Sequence, residues 1–187
     1  MRKEKIGAVL LALLVGATLS GCSAGAAGAA SSTSESSATE AVAENPYGGF
    51  PVDPPSDDEV VLTVTGAESV DYTIPELRAL AETEVEIYEP FVKENQTFVG
   101  VNLGTLFEAS GIEATDEVLT IALNDYRYQD KASAFTASNG VLAVERNGEI
   151  IPMDAGGPIR IIFPDGNEYS DYLDAWNWSL RSIEVAE

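Results

Sequence analysis

Short β-branched runs, each closed off by glycine, proline or an Asn-Gly pair, recur from residue 60 onward. "VVLTVT" at 60–65 stops at Gly66, and "VDYTI" at 70–74 continues in extended form. "EVEIYE" at 84–89 alternates, as does "LRSIEV" at 180–185, while "TFVGV" at 97–101 and "EVLTIAL" at 117–123 add further extended pieces. "GVLAVERNGEIIP" reads as a hairpin, because Asn147-Gly148 supplies the positive-φ positions of a tight turn. "PIRIIFP" at 158–164 is a strand held between prolines. Only two pieces carry helical punctuation. In "TIPELRALA", Thr73 caps, Pro75 falls in the first turn where its missing N–H is no loss, and Glu76 completes a capping box. In "NLGTLFEASG", Asn102 caps, Leu103, Leu106 and Phe107 recur at helical spacing, and Gly111 stops the helix. Many strands with two short helices predict an α+β domain, a mixed β-sheet domain with short helices, over residues 60–187.

The first 59 residues obey a different logic. Arg2, Lys3 and Lys5 precede "IGAVLLALLVGATL", an apolar run of signal-peptide length and too short for a stable membrane span. It ends in Leu19-Ser20-Gly21-Cys22, which resembles the lipobox of bacterial lipoproteins, where the cysteine is lipidated and becomes the new N-terminus. Residues 1–21 are therefore expected to be a lipoprotein signal peptide. Cys22 is expected to anchor the protein outside the cytoplasm on the bacterial cell membrane, since each buried acyl methylene contributes about 0.8 kcal/mol. Residues 23–59 are rich in Ala, Ser, Gly and Pro, with seven acidic side chains and no basic one. With little to bury, residues 22–59 are expected to form a disordered acidic tether, with "NPYGGFPVDPP" as an alternative arm that packs on the domain.

Charge and residue choice exclude several functions. Removing Arg2, Lys3, Glu4 and Lys5 from totals of 31 acidic and 10 basic residues leaves 30 and 7, a formal charge of about −23. Such a chain repels phosphate backbones, so nucleic acid is excluded as a partner. No histidine is present, which removes the commonest general base and the Ser-His-Asp triad together. Cys22 is the single cysteine, and once acylated it leaves no thiolate for a metal or a nucleophile. Asp165, Asn167 and Asp171 stand at calcium-like intervals, but Ser170 and Trp176 occupy the places of the required Gly and Glu.

The order of the pieces over about 60–185 resembles the molybdopterin-binding domain of the sulfite oxidase family of oxidoreductases. "VTG", "TIPELRAL", "VGVNLGTLFEASGI" and a closing "RSIEV" carry the likeness, and "NGEIIPMDAGGPIRIIFP" is its most specific part. The resemblance implies a pyranopterin dithiolene holding molybdenum, with one protein cysteine between the segments matched by "EVEIYE" and "GVNLGTLFEASG". That interval here reads "PFVKENQTFV", and a carboxylate such as Glu94 is not equivalent to a soft thiolate. The family's His-Gly-x-Pro-x-Arg motif appears as Ala155-Gly156-Gly157-Pro158-Ile159-Arg160, so the Arg is kept and the His is not. A lysine that many members place before the last strand is replaced in "AWNWSLRSIEV" by Asn177 or Trp178, depending on register. The family's Asp in the loop after "LTIAL" matches Asn124 or Asp125.

These residues predict a cofactor-free relative that binds a small anionic or aromatic ligand, or a partner in a surface redox or uptake system. Arg160, Arg127 and Lys131 are the expected anion contacts, joined around the inherited pocket by Asp125, Tyr126 and Trp178. No catalytic or metal-ligating residue is expected. The alternative is a molybdopterin-dependent oxidoreductase that holds its cofactor without a cysteine thiolate.

Overall fold

A computed structural model describes residues 52–89 and 91–186. The signal segment 1–21, Cys22 and residues 23–51 of the tether lie outside the described residues.

The chain opens with a hairpin, β1 (Val60–Thr65) and β2 (Ser69–Thr73), and Thr73 then caps α1 (Ile74–Leu80). The Thr73 hydroxyl accepts from the Glu76 N–H and the Glu76 carboxylate accepts from the Thr73 N–H, the reciprocal pair expected from this spacing. A second hairpin comes next, β3 (Thr83–Glu89) and β4 (Glu94–Asn102). Asn102 accepts from the Gly104 N–H to start α2 (Leu103–Ser110), and Gly111 ends it at φ 69°. The chain continues through β5 (Glu117–Ala122), β6 (Arg127–Lys131) and α3 (Ala132–Ala137). β7 (Val141–Arg146) turns through Asn147 and Gly148, at φ 53° and 82°, into β8 (Glu149–Ile150). The short β9 (Arg160–Ile162) and β10 (Leu180–Val185) complete the strands.

These strands make two sheets. One has the order β2-β1-β10-β5-β6, antiparallel throughout except for the parallel β1–β10 pair. The other runs β3-β4-β7-β8, with β9 also pairing β7. Leu62, Val64, Phe98, Leu106 and Phe135 belong to one continuous buried cluster with the inward faces of all three helices. Val141–Val144 and Ile159–Phe163 are buried at every position, so these strands are covered on both sides. That is why "VLAV" and "IRIIF" do not alternate.

Two differences from the sequence-based expectation have physical causes. β6 and α3 carry no readable punctuation: α3 starts at Lys131 with no side-chain cap, and β6 is an edge strand of mostly polar residues. The described end of the expected tether, residues 22–59, contains part of the segment read as an alternative arm. Val52, Asp53, Pro54 and Pro55 line a groove of about 440 Å³ together with Leu123, Met153, Pro158 and Leu180. Two prolines and an apolar side chain thus lie along the domain surface.

The segment that matters most for function joins the two sheets. The Ser179 N–H donates to the Gly156 carbonyl, Leu180 to Ile159, and Ile161 to Asn177, with a bridge between Arg160 and Trp178. Close approach explains the two glycines ahead of Pro158. A Cβ on Gly157 would stand 2.0 Å from the Ile151 carbonyl oxygen, and one on Gly156 would press three Trp178 ring atoms at 3.2 Å.

Candidate functional site

Arg160 lies in a strand buried on both faces, so its guanidinium has no water to meet. A bare cation there would be several kcal/mol unfavourable, of order the desolvation penalty for one ion. Glu89 resolves this: its carboxylate accepts from Arg160 Nη2, and both side chains are 0% exposed. Aromatic faces complete the enclosure, with the guanidinium carbon 4.7 Å from the Phe98 ring centre and 5.0 Å from that of Trp178. Glu89 was not among the expected site residues, although a signal for it existed. Alternation in "EVEIYE" puts Glu89 on the same side of β3 as the buried Ile87.

Glu89 also shapes the turn that leaves β3. Its backbone carbonyl accepts from the Lys93 N–H, closing the β3–β4 hairpin where the resemblance implied a cysteine-bearing loop. The turn brings Phe91 against Trp178, ring centres 4.6 Å apart and planes at 69°.

Beside this pair lies a cavity of about 310 Å³ walled by Phe91, Asn124, Tyr126, Asp174, Asn177 and Trp178, with Leu173 and Trp176 completing it and no lysine or arginine among the described residues that line it. The Tyr126 hydroxyl donates to the Asp174 carbonyl at 3.0 Å. Burial, and then the Asp174 charge, push the Tyr126 phenol above its ordinary value. Asn177 is fully buried, and its Nδ2 donates to Thr120 Oγ1 at 3.1 Å. Thr120 spends its own hydroxyl proton on the Tyr128 carbonyl, so that hydroxyl must accept from Asn177 and the amide has only one orientation. Asn177 Oδ1 is left as a buried acceptor with no partner among the described residues.

The expected site residues divide. Tyr126 and Trp178 wall the cavity, and Arg160 lies against the Trp178 ring without lining it. Arg127 and Lys131 sit at opposite ends of the edge strand β6, both exposed and neither on the cavity wall. Asp125 occupies the β5–β6 turn at φ 65° and pairs with Arg181 at 2.6 Å. The expected cluster of three cations around one anion is therefore not assembled. Arg160 already has a carboxylate, and β6 carries the other two along the sheet edge.

Most aromatic side chains near the cavity belong to the core. The Tyr169 and Tyr128 hydroxyls both donate to Asp130, and Trp176 Nε1 donates to the Tyr169 carbonyl at 2.7 Å. Burial alone would raise the Asp130 carboxyl, but hydrogen bonds from Tyr169, the Lys131 N–H and Tyr128 outweigh it and hold the group low. Burial first, and then the bond to Asp130, push the Tyr169 phenol far above its ordinary 10.0.

Both pairings can be tested. Arg160→Met leaves Glu89 buried and unpaired and should lower stability by about 3–5 kcal/mol, whereas E89L/R160M should recover most of the loss. Urea unfolding measures both; equal losses in the single and double variants would contradict the pairing. Tyr169 has its pKa raised on folding, so its stabilisation is complete below pH 10.0 and disappears as pH rises beyond it. In Tyr169→Phe, the fall of stability above pH 10.0 should be visibly shallower in thermal melts than in the parent protein.

Comparison with known proteins places this geometry in a family. The family described as oxidoreductase molybdopterin binding domain matches residues 47–170, from before β1 to beyond the Arg160 strand. No curated protein sequence matches the chain. Among solved structures, the sulfane dehydrogenase SoxCD from Paracoccus pantotrophus aligns with a TM-score of 0.54 at 15% identity, over 71% of this chain. The chain spans 39% of the length of that SoxCD chain, and the likeness establishes the shared α+β fold. By the extent of the family match, the chain belongs to the oxidoreductase molybdopterin-binding domain family.

Proposed function

We propose that this protein is an extracytoplasmic lipoprotein, held to the membrane through Cys22, whose molybdopterin-binding-type domain works without the cofactor as a small-ligand or partner-binding module. The observation that carries the reading is the Glu89 carboxylate on Arg160. Arg160 is the arginine kept from the family's strand motif, and an anionic group on the chain itself already pairs with its Nη2. A cofactor phosphate would have to expel Glu89 and leave that carboxylate buried without a partner. The residues present do not fit a metal-pterin group in other respects. Among the described residues no lysine or arginine lines the adjoining cavity, Asp174 adds a carboxylate to its wall, and Cys22 is the single cysteine of the chain. The role that suits such a module is accessory to a surface redox or uptake system.

A second reading, a molybdopterin-dependent oxidoreductase, draws on one observation: the family match runs through the Gly156-Gly157-Pro158 frame and Arg160. It requires Glu89 to leave Arg160 and a donor other than thiolate to reach the metal.

Full-length protein purified from the membranes of a molybdenum-replete bacterial host should contain no stoichiometric molybdenum and release no pterin on extraction. One molybdenum per chain would overturn the cofactor-free reading in favour of the enzyme. In the same host, Cys22→Ser should move the protein from the membrane fraction to the soluble one; unchanged partition would overturn the anchor.

A further inference from the structure

We propose that residues 46–51, "PYGGFP", which lie just outside the described residues, are an arm of the domain that docks in the apolar groove beside Ile150 and Met153, with Phe50 as its anchor. The proposal concerns a different cavity from the one discussed above and does not depend on the cofactor-free reading.

Three observations converge. The first is where the described chain begins. Val52 lines two grooves at once, one of about 440 Å³ with Leu123 and Leu180, and one of about 320 Å³ with Ile150, Pro152 and Met153. Pro54 and Met153 also line both, so the two grooves meet there. Phe50 is two residues upstream, and even a fully extended chain puts its Cα no more than about 7 Å from that of Val52. Its ring is therefore within reach of these walls.

The second is the match between the open apolar surface and the arm. Val52, Val60, Leu123 and Ile150 are exposed, and each lines one or both grooves. Exposed apolar side chains that gather in one place call for a cover. Tyr47 and Phe50 are the only aromatic residues between Cys22 and Val52. Each ring can bury about 150–250 Å². Pro46, Pro51, Pro54 and Pro55 restrict the backbone in advance, so ordering the arm costs less entropy, and their missing N–H suits a groove of side chains better than a sheet edge.

The third is the extent of the family match. It begins at residue 47, well ahead of β1 at Val60, and takes in Tyr47 and Phe50 but none of the Ala- and Ser-rich stretch before them. A segment with partners in the domain keeps such a pattern, whereas a spacer has no reason to. Charge selects the same occupant. Asp154 and Glu59 border the grooves, residues 46–51 carry no charged side chain, and Glu35, Glu40 and Glu44 further upstream would be repelled. A second copy of the chain, with a formal charge of −21, would approach against the same repulsion.

The test is limited proteolysis of the full-length protein with chymotrypsin, which can cut after Tyr47 but is blocked after Phe50 by Pro51. The cut after Tyr47 should be at least about tenfold slower in the parent protein than in Phe50→Ser, because its rate follows the fraction of arm that is undocked. Phe50→Leu, which keeps an apolar anchor, should restore the protection, and Val42→Ser, upstream of the arm, should leave it unchanged. Met153→Ser should speed the cut as Phe50→Ser does; should that variant fail to fold, Ile150→Ser, at an exposed wall position, takes its place. The double variant F50S/I150S should be cut about as fast as Phe50→Ser, since both changes break one contact. Equal rates in the parent, Phe50→Ser and Ile150→Ser would overturn the docked arm. So would a dimer seen in sedimentation that Ile150→Ser disperses while Tyr47 stays unprotected, which would put a second copy in the groove.

Discussion

A positive charge inside a strand covered on both faces must be neutralised from within the protein, and much of this domain is arranged around that requirement. Arg160 is the charge, Glu89 the answer, and Phe98 and Trp178 the walls that keep water from both. The pair links the end of β3 to β9, elements far apart in sequence within one sheet. Desolvation makes such a pair a weak source of net stability, yet losing either member is severe. It therefore acts chiefly to specify one arrangement of the β3–β4 turn, and that turn delivers Phe91 to Trp178.

The cavity depends on the same arrangement. Residues 177–180 hydrogen-bond back to 156–161 and then continue as β10, so one segment serves as the seam between the sheets. Asn177 and Trp178 are on that seam. Gly156 and Gly157 permit it, since a side chain on the first would strike the Trp178 ring and on the second the Ile151 backbone. A frame that the wider family shares thus stands beside a pocket lined, among the described residues, by Phe91, Tyr126, Asp174 and Trp178.

Much of the architecture was legible because local chemistry and tertiary context agree. The Thr73 box, the Asn102 cap, the Gly111 stop and the Asn147-Gly148 turn each stand where their residue types predict. β6 and α3 were not legible: "RYQDK" gains strand character only by pairing with β5, and "ASAFTA" starts without a capping side chain. The site was readable in part. Tyr126, Trp178 and Arg160 gather near one another, while Arg127 and Lys131 do not, because residue type reveals a charge but not its partner. Asp125 and Arg181, 56 positions apart, show the same thing. Glu89 was hidden for the opposite reason. A glutamate at a strand end reads as solvated unless its inward register is taken at face value, and the partner that makes burial tolerable lies 71 residues away.

The parallel pairing of β1 with β10 has a geometric consequence. Thr63 stands level with Ser182, so both strands begin at one end of their sheet, and Leu180 pairs there with Ala122 at the finish of β5. Trp178, Asn124 and Tyr126 flank these same strand ends, and residues 52–55 run past Leu123 and Leu180 on their way in. Entry of the polypeptide and mouth-side residues of the pocket thus share a pole of the molecule.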